Sequence, residues 1–151
     1  MAMTEITFEK MDGVGIITMN RPESRNALTL NMVSEMGEAI EACQRPDVRA
    51  VLLTGAGGGF CSGADLKFLL ETMEKGDQES LKEYITTLAN DLHHKVVIGL
   101  RRLGKPVVAG INGVAAGAGV SLTLACDGRV AARGARFLIA YPNTRAHADG
   151  G

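Results

Sequence analysis

The chain has 151 residues, enough to bury the core of one domain, and its 46% apolar content argues against disorder. Acids and bases nearly balance to a net charge of −1. That balance, with two Tyr, four Phe and no Trp, argues against a nucleic-acid partner. Cys43, Cys61 and Cys126 are far apart and lack CxxC spacing. They point away from a disulfide framework or a metal site and towards reduced thiols in a cytoplasmic compartment. The start, MAMTEITFEK, is too polar for a signal peptide.

Residues 4–10 alternate, with Ile6 and Phe8 turned inward, and predict an edge strand. Asp12-Gly13 is a hairpin turn signal, and VGIITM (14–19) is a buried strand broken by Asn20, Arg21 and Pro22. Thr29 is placed to cap a helix carrying Leu30, Val33, Met36, Ile40 and Cys43 on one face, with Glu35, Glu38 and Glu41 outward. Pro46 ends that helix. RAVLLT (49–54) is the next strand, and GAGGGFCSGAD (55–65) follows as a glycine-rich turn. Asp65 caps a helix holding Leu66, Leu69, Leu70 and Met73. After Gly76, one long amphipathic helix is expected from 78 to 103, with Leu81, Ile85, Leu88, Leu92, Val96 and Leu100 buried. Its basic end, Arg101, Arg102 and Lys105, suits the negative pole of a helix.

The chain is organised around KPVVAGINGVAAGAGVSLTLACD (105–127). An apolar strand leads through Asn112-Gly113 and a small-residue loop into an apolar helix. The uncharged run 106–126 is long enough to span a bilayer, but Pro106, Asn112 and its glycines break it, so no membrane span is expected. Short strands follow at 128–132 and 135–140. Strands alternating with helices predict an α/β fold with a largely parallel sheet.

Neither glycine-rich turn fits GxxxxGK[ST] or a helix-opening GxGxxG, and Ser121 lacks a nucleophile-elbow context. A glycine turn that opens a helix does leave backbone N–H groups without partners, ready for a ligand oxygen. FCSGADLK (60–67), NGVAAGAGVSLTLACD (112–127) and NRPESRNAL (20–28), in this order and spacing, resemble the enoyl-CoA hydratase/isomerase (crotonase) superfamily from about residue 5 to the end.

The resemblance implies a single crotonase-like domain over 1–151, a spiral of stacked ββα turns. It also implies a C-terminal helical region beyond Gly151, so the chain reads as the N-terminal portion of that fold. The family binds acyl-CoA thioesters and stabilises an enolate-like oxyanion with two backbone N–H groups. The matching positions are Ala64 and Ala118. Ser24, Arg25 and Ala27, with Ala64, Asp65, Leu66 and Lys67, fall in the CoA-contacting segments, where Arg25 and Lys67 are placed to meet phosphates. No metal and no cofactor beyond the substrate's CoA is implied, and a homotrimer or hexamer is the family's assembly.

Family hydratases use two glutamates. Ser121 stands at the first position and about Tyr141 at the second, so two-glutamate hydration is not expected. Asp149, in ADGG, matches the single acidic residue of some family isomerases, which shuttles one proton between C2 and C4 of an enoyl thioester. His94 stands where related 4-chlorobenzoyl-CoA dehalogenases place a water-activating histidine. The expectation is therefore an isomerase with Asp149 as acid/base, against a hydratase or a dehalogenase-like hydrolase. A different class of reading is a non-catalytic acyl-CoA binder or scaffold.

Overall fold

A computed structural model describes residues 3–139. Five strands form one sheet in the order β1-β2-β3-β5-β7, where β1 is Ile6–Met11, β2 Val14–Met19, β3 Ala50–Gly55, β5 Val107–Ile111 and β7 Gly128–Ala131. Only the β1/β2 hairpin is antiparallel. Its turn has left-handed Asp12 (φ 51°) and Gly13 (φ 84°), the geometry whose twist matches the two strands. β1 lies at the sheet edge as its alternation predicted, with Ile6 buried and Phe8 half-buried.

A second, three-stranded parallel sheet has the order β4-β6-β8, with β4 Gly59–Cys61, β6 Val114–Ala116 and β8 Arg136–Leu138. Sequence reading took β4 and β6 for loop. Each is only three residues long, too short to show a period, and its pairing comes from residues more than twenty positions away. Two turns of chain each place one strand in the large sheet, one in the small sheet, and then a helix. β3, β4 and α2 (Leu66–Glu74) make one such turn, and β5, β6 and α5 (Ala118–Ala125) the next. This is the stacking of ββα turns that the resemblance implied.

α1 (Leu30–Ala42) is capped as expected, with Thr29 Oγ1 accepting from the Met32 N–H at 3.0 Å. It ends at Ala42, ahead of Pro46. Its C-terminal region is held by Lys105, whose ammonium donates to the Cys43 and Arg45 carbonyls at 2.6 and 2.7 Å. Glu35 corrects the expected outer face of α1. It is buried, and its carboxylate accepts from the N–H groups of Thr4, Glu5 and Ile6 at 2.8–2.9 Å and from Asn31 at 3.0 Å. The start of β1 is thereby tied to α1.

The long helix expected from 78 to 103 is three pieces. α3 is Gln78–Asp91, a π-helical turn spans Leu92–Val97, and α4 is Ile98–Arg102. Leu88, Leu92, Val96 and Leu100 are buried as expected across all three pieces. Tyr84 is buried in place of Ile85, which is 48% exposed. α2 also departs from expectation, because Leu66, Leu70 and Met73 are each about 60% exposed. Among the described residues no helix is long and apolar enough to cross a membrane.

Candidate functional site

Two strand-to-helix turns pack side by side. In the first, β4 leads through Gly63 (φ 90°) to Ala64 and α2. In the second, β6 leads through Gly117 (φ 51°, ψ −122°) to Ala118, the first residue of α5. A left-handed residue just before each alanine requires the glycine. The turns touch closely: a Cβ on Gly63 would lie 2.9 Å from the Ala116 carbonyl oxygen and 3.6 Å from the Ala118 nitrogen. A Cβ on Gly119 would lie 2.2 Å from the Cys61 carbonyl oxygen. Among the described residues, no acceptor takes the N–H of Ala64 or of Ala118. Both alanines are half-buried. The arrangement offers two backbone donors with only methyl side chains beside them.

Next to the first turn lies an open pocket of about 430 Å³. Ser24, Ala27, Ala64, Asp65, Leu66 and Lys67 line it, together with Arg21, Glu23 and Ser62. Six of the seven predicted CoA-contacting residues are therefore gathered on one surface. Arg25 is the exception: it is exposed, left-handed (φ 53°), and absent from the lining. Its carbonyl instead receives the Ser62 N–H at 3.0 Å. Lys67 is exposed, with a long 3.9 Å pairing to Glu71 one helical turn on.

Asp65 is not a free carboxylate in the pocket. One oxygen accepts from the Phe68 N–H at 3.3 Å as the N-cap of α2, and the other pairs with Arg21 at 3.0 Å. Sequence reasoning missed Arg21, which it treated as a strand breaker. It also missed Asn26, which is buried and left-handed (φ 57°). Asn26 accepts from the Arg21 N–H at 2.9 Å and donates to the carbonyls of Ala56 and Gly59 at 3.0 and 2.9 Å. Asn112 donates to Gly55 and Gly57 at 2.8 Å each. The two amides replace the ladder bonds that the glycine-rich 55–59 turn cannot make for itself. Their signal was present in the sequence as Asn beside turn residues, where αL is tolerated.

His94 is exposed on the π-turn and does not line this pocket. Ser121 is buried on α5. Burial pushes the Cys61 thiol up to about 12, so this neighbour of the second turn stays protonated and is no nucleophile. Asp149 and Tyr141 lie outside the described residues.

The family profile described as enoyl-CoA hydratase/isomerase matches residues 9–146. A probable enoyl-CoA hydratase of Mycobacterium leprae is 43% identical over 86% of this chain and 44% of its own length. A 1,2-epoxyphenylacetyl-CoA isomerase of Escherichia coli is 39% identical over 85% of this chain and 48% of its own. The crystal structure of an enoyl-CoA hydratase from Polaromonas superposes with a TM-score of 0.85 at 35% identity, over 97% of this chain and 55% of that one. The chain thus spans about half the length of the relatives it matches. The stacked ββα turns, the two bare alanine N–H groups and the match across 9–146 lead to one conclusion: the chain belongs to the enoyl-CoA hydratase/isomerase family.

Proposed function

We propose that the chain carries the oxyanion hole and CoA-binding surface of an acyl-CoA thioester enzyme that moves a proton through an enolate. The observation that carries this reading is the pair of N–H groups at Ala64 and Ala118, unpartnered among the described residues and set in turns that touch. Removing an α or γ proton from an enoyl thioester leaves negative charge on the carbonyl oxygen. Two fixed donors oppose that charge, each worth about 3–4 kcal/mol of barrier where water is excluded. Backbone donors need no change of protonation state, so the site works at any pH at which the base is ionised. Ser24, Ala27 and Lys67 on the pocket wall hold the CoA moiety, with Lys67 meeting a phosphate.

For the reaction, we propose isomerisation with Asp149 as the sole acid/base, since a 1,3-shift takes and returns one proton. Asp149→Asn abolishes conversion of a Δ3- to a Δ2-enoyl-CoA and leaves binding of the CoA ester intact. Equal turnover by variant and wild type would remove Asp149 from the mechanism. The names of the relatives favour hydration as a second reading, and formation of a 3-hydroxyacyl-CoA on incubation with a Δ2-enoyl-CoA would select it. Three buried free thiols suit the reducing, cytoplasmic setting of this proposal. Assembly of the whole protein as a homotrimer or hexamer belongs to the same proposal, and sedimentation velocity tests it.

A further inference from the structure

Arg21 lies on the pocket wall, so the simplest reading makes it a phosphate contact for CoA. Its surroundings argue otherwise. The guanidinium faces two carboxylates, Glu5 at 3.2 Å and Asp65 at 3.0 Å, and also donates to the Ala27 carbonyl at 2.8 Å. Its side chain is 20% exposed. Three acceptors, two of them charged, leave little positive field for an anion. A planar fork that meets three acceptors in fixed directions acts instead as a spacer.

What it spaces is the first donor. The peptides on either side of Ala64 are pinned to Leu28: the Leu28 N–H donates to Gly63 O at 2.8 Å, and the Asp65 N–H donates to Leu28 O at 3.2 Å. Leu28 and Ala64 form an isolated parallel bridge. Arg21 closes the frame from outside, joining the Ala27 carbonyl, one residue before Leu28, to the carboxylate of Asp65, one residue after Ala64. The Ala64 N–H, on the first of these peptides, has no acceptor among the described residues.

We propose that Arg21 and Asp65 form a positioning clamp that aims the Ala64 N–H at the thioester oxygen, in place of a CoA contact by either. The clamp rests on the oxyanion-hole reading above. The test compares wild type, Arg21→Lys and Asp65→Asn. Each is titrated with butyryl-CoA by calorimetry, and the infrared carbonyl stretch of the bound ester, isotope-labelled at the thioester carbon, reports its polarisation.

In both variants the expected Kd stays within about twofold of wild type, and the stretch returns towards its value in water. Turnover falls about a hundredfold at little-changed KM, the cost of displacing a group by about an ångström. A Kd weakened about tenfold with the stretch unmoved would make Arg21 the CoA contact after all. A lower Tm with Kd and stretch both unmoved would leave the pair a purely structural role and also overturn the clamp. Asparagine keeps an oxygen to cap α2, so Asp65→Asn gives the answer even if Arg21→Lys fails to fold. If the wild type binds the ester without lowering its stretch, the oxyanion hole itself is wrong and the clamp falls with it. A lowered stretch that both variants retain overturns the clamp alone.

Discussion

The two donor turns present the same group by different means. Around Ala64 the backbone bonds to Leu28 are reinforced by side chains: Asp65 caps α2, Arg21 bridges to Ala27, and Tyr84 donates to Leu28 O at 3.1 Å. Around Ala118 it is held by the lack of side chains. Gly119 sits against the Cys61 carbonyl, Gly113 against that of Gly58, and the Gly117 N–H reaches Leu138 O at 3.0 Å. The helices that follow differ in the same way. α2 is exposed along much of its length, whereas Gly119, Ser121, Leu122, Thr123 and Ala125 of α5 are buried. A turn held by polar contacts can be loosened one bond at a time. A turn held by backbone contact fails as a unit.

The largest expected effect is therefore at the second turn. In Gly119→Ala the new methyl meets a backbone carbonyl at 2.2 Å, with no flexible side chain to yield. It destabilises by about 3 kcal/mol, the upper end of overpacking costs, read by urea denaturation. A cost below about 0.5 kcal/mol, as for an ordinary surface substitution, would show that the second turn gives as readily as the first.

Next in size is Glu35, which supports the first turn from a distance. It fixes the start of β1, including Glu5, whose carboxylate pairs with Arg21. Burial pushes the Glu35 carboxyl up, but the N–H groups of Thr4 and Glu5, the Asn31 amide and the Ile6 N–H outweigh it and hold it below its ordinary 4.5. With the folded value below the unfolded one, its contribution is complete above the unfolded value and is lost as pH falls through the folded one. Glu35→Gln costs about 2 kcal/mol at neutral pH, as expected for charge-assisted bonds. The gap between variant and wild type narrows on acidification below the ordinary carboxylate value. A gap independent of pH would show that the charge of Glu35 does nothing.

The large-sheet strands, the Thr29 and Asp65 caps and both alanine turns were legible in the sequence, because each is written locally. An apolar run, a capping oxygen three residues before its N–H, or a glycine before a helix is complete within a few positions. What stayed hidden is held by distant partners. Glu35 looks outward on any helical wheel until three N–H groups some thirty residues earlier arrive to bind it. β4 and β6 exist as strands only through each other and β8. Arg21 reads as a surface charge until Asp65, forty-four positions on, faces it. The resemblance picked out residues that line one pocket but not the polar frame behind it, since a motif marks positions and not hydrogen bonds.

The smallest predicted effect tests whether the two turns are independent. Burial pushes the Tyr84 phenol up to about 12, so its hydroxyl remains a donor to Leu28 O at neutral pH. Its ring packs on Phe68 of α2, with centroids 4.4 Å apart. Tyr84→Phe keeps the ring contact and removes one of the two bonds to the Leu28 carbonyl, which retains the Asp65 N–H. The carbonyl is not orphaned, so the cost is that of a single neutral hydrogen bond, about 1 kcal/mol. It falls on the frame around Ala64 and not on the backbone contacts around Ala118. Amide hydrogen exchange separates the two: protection drops at Asp65 and Leu28, whose N–H groups close that frame, and is unchanged at Gly117 and Val120. Equal loss at both turns would mean that they open together, and that side-chain and backbone support are one cooperative unit.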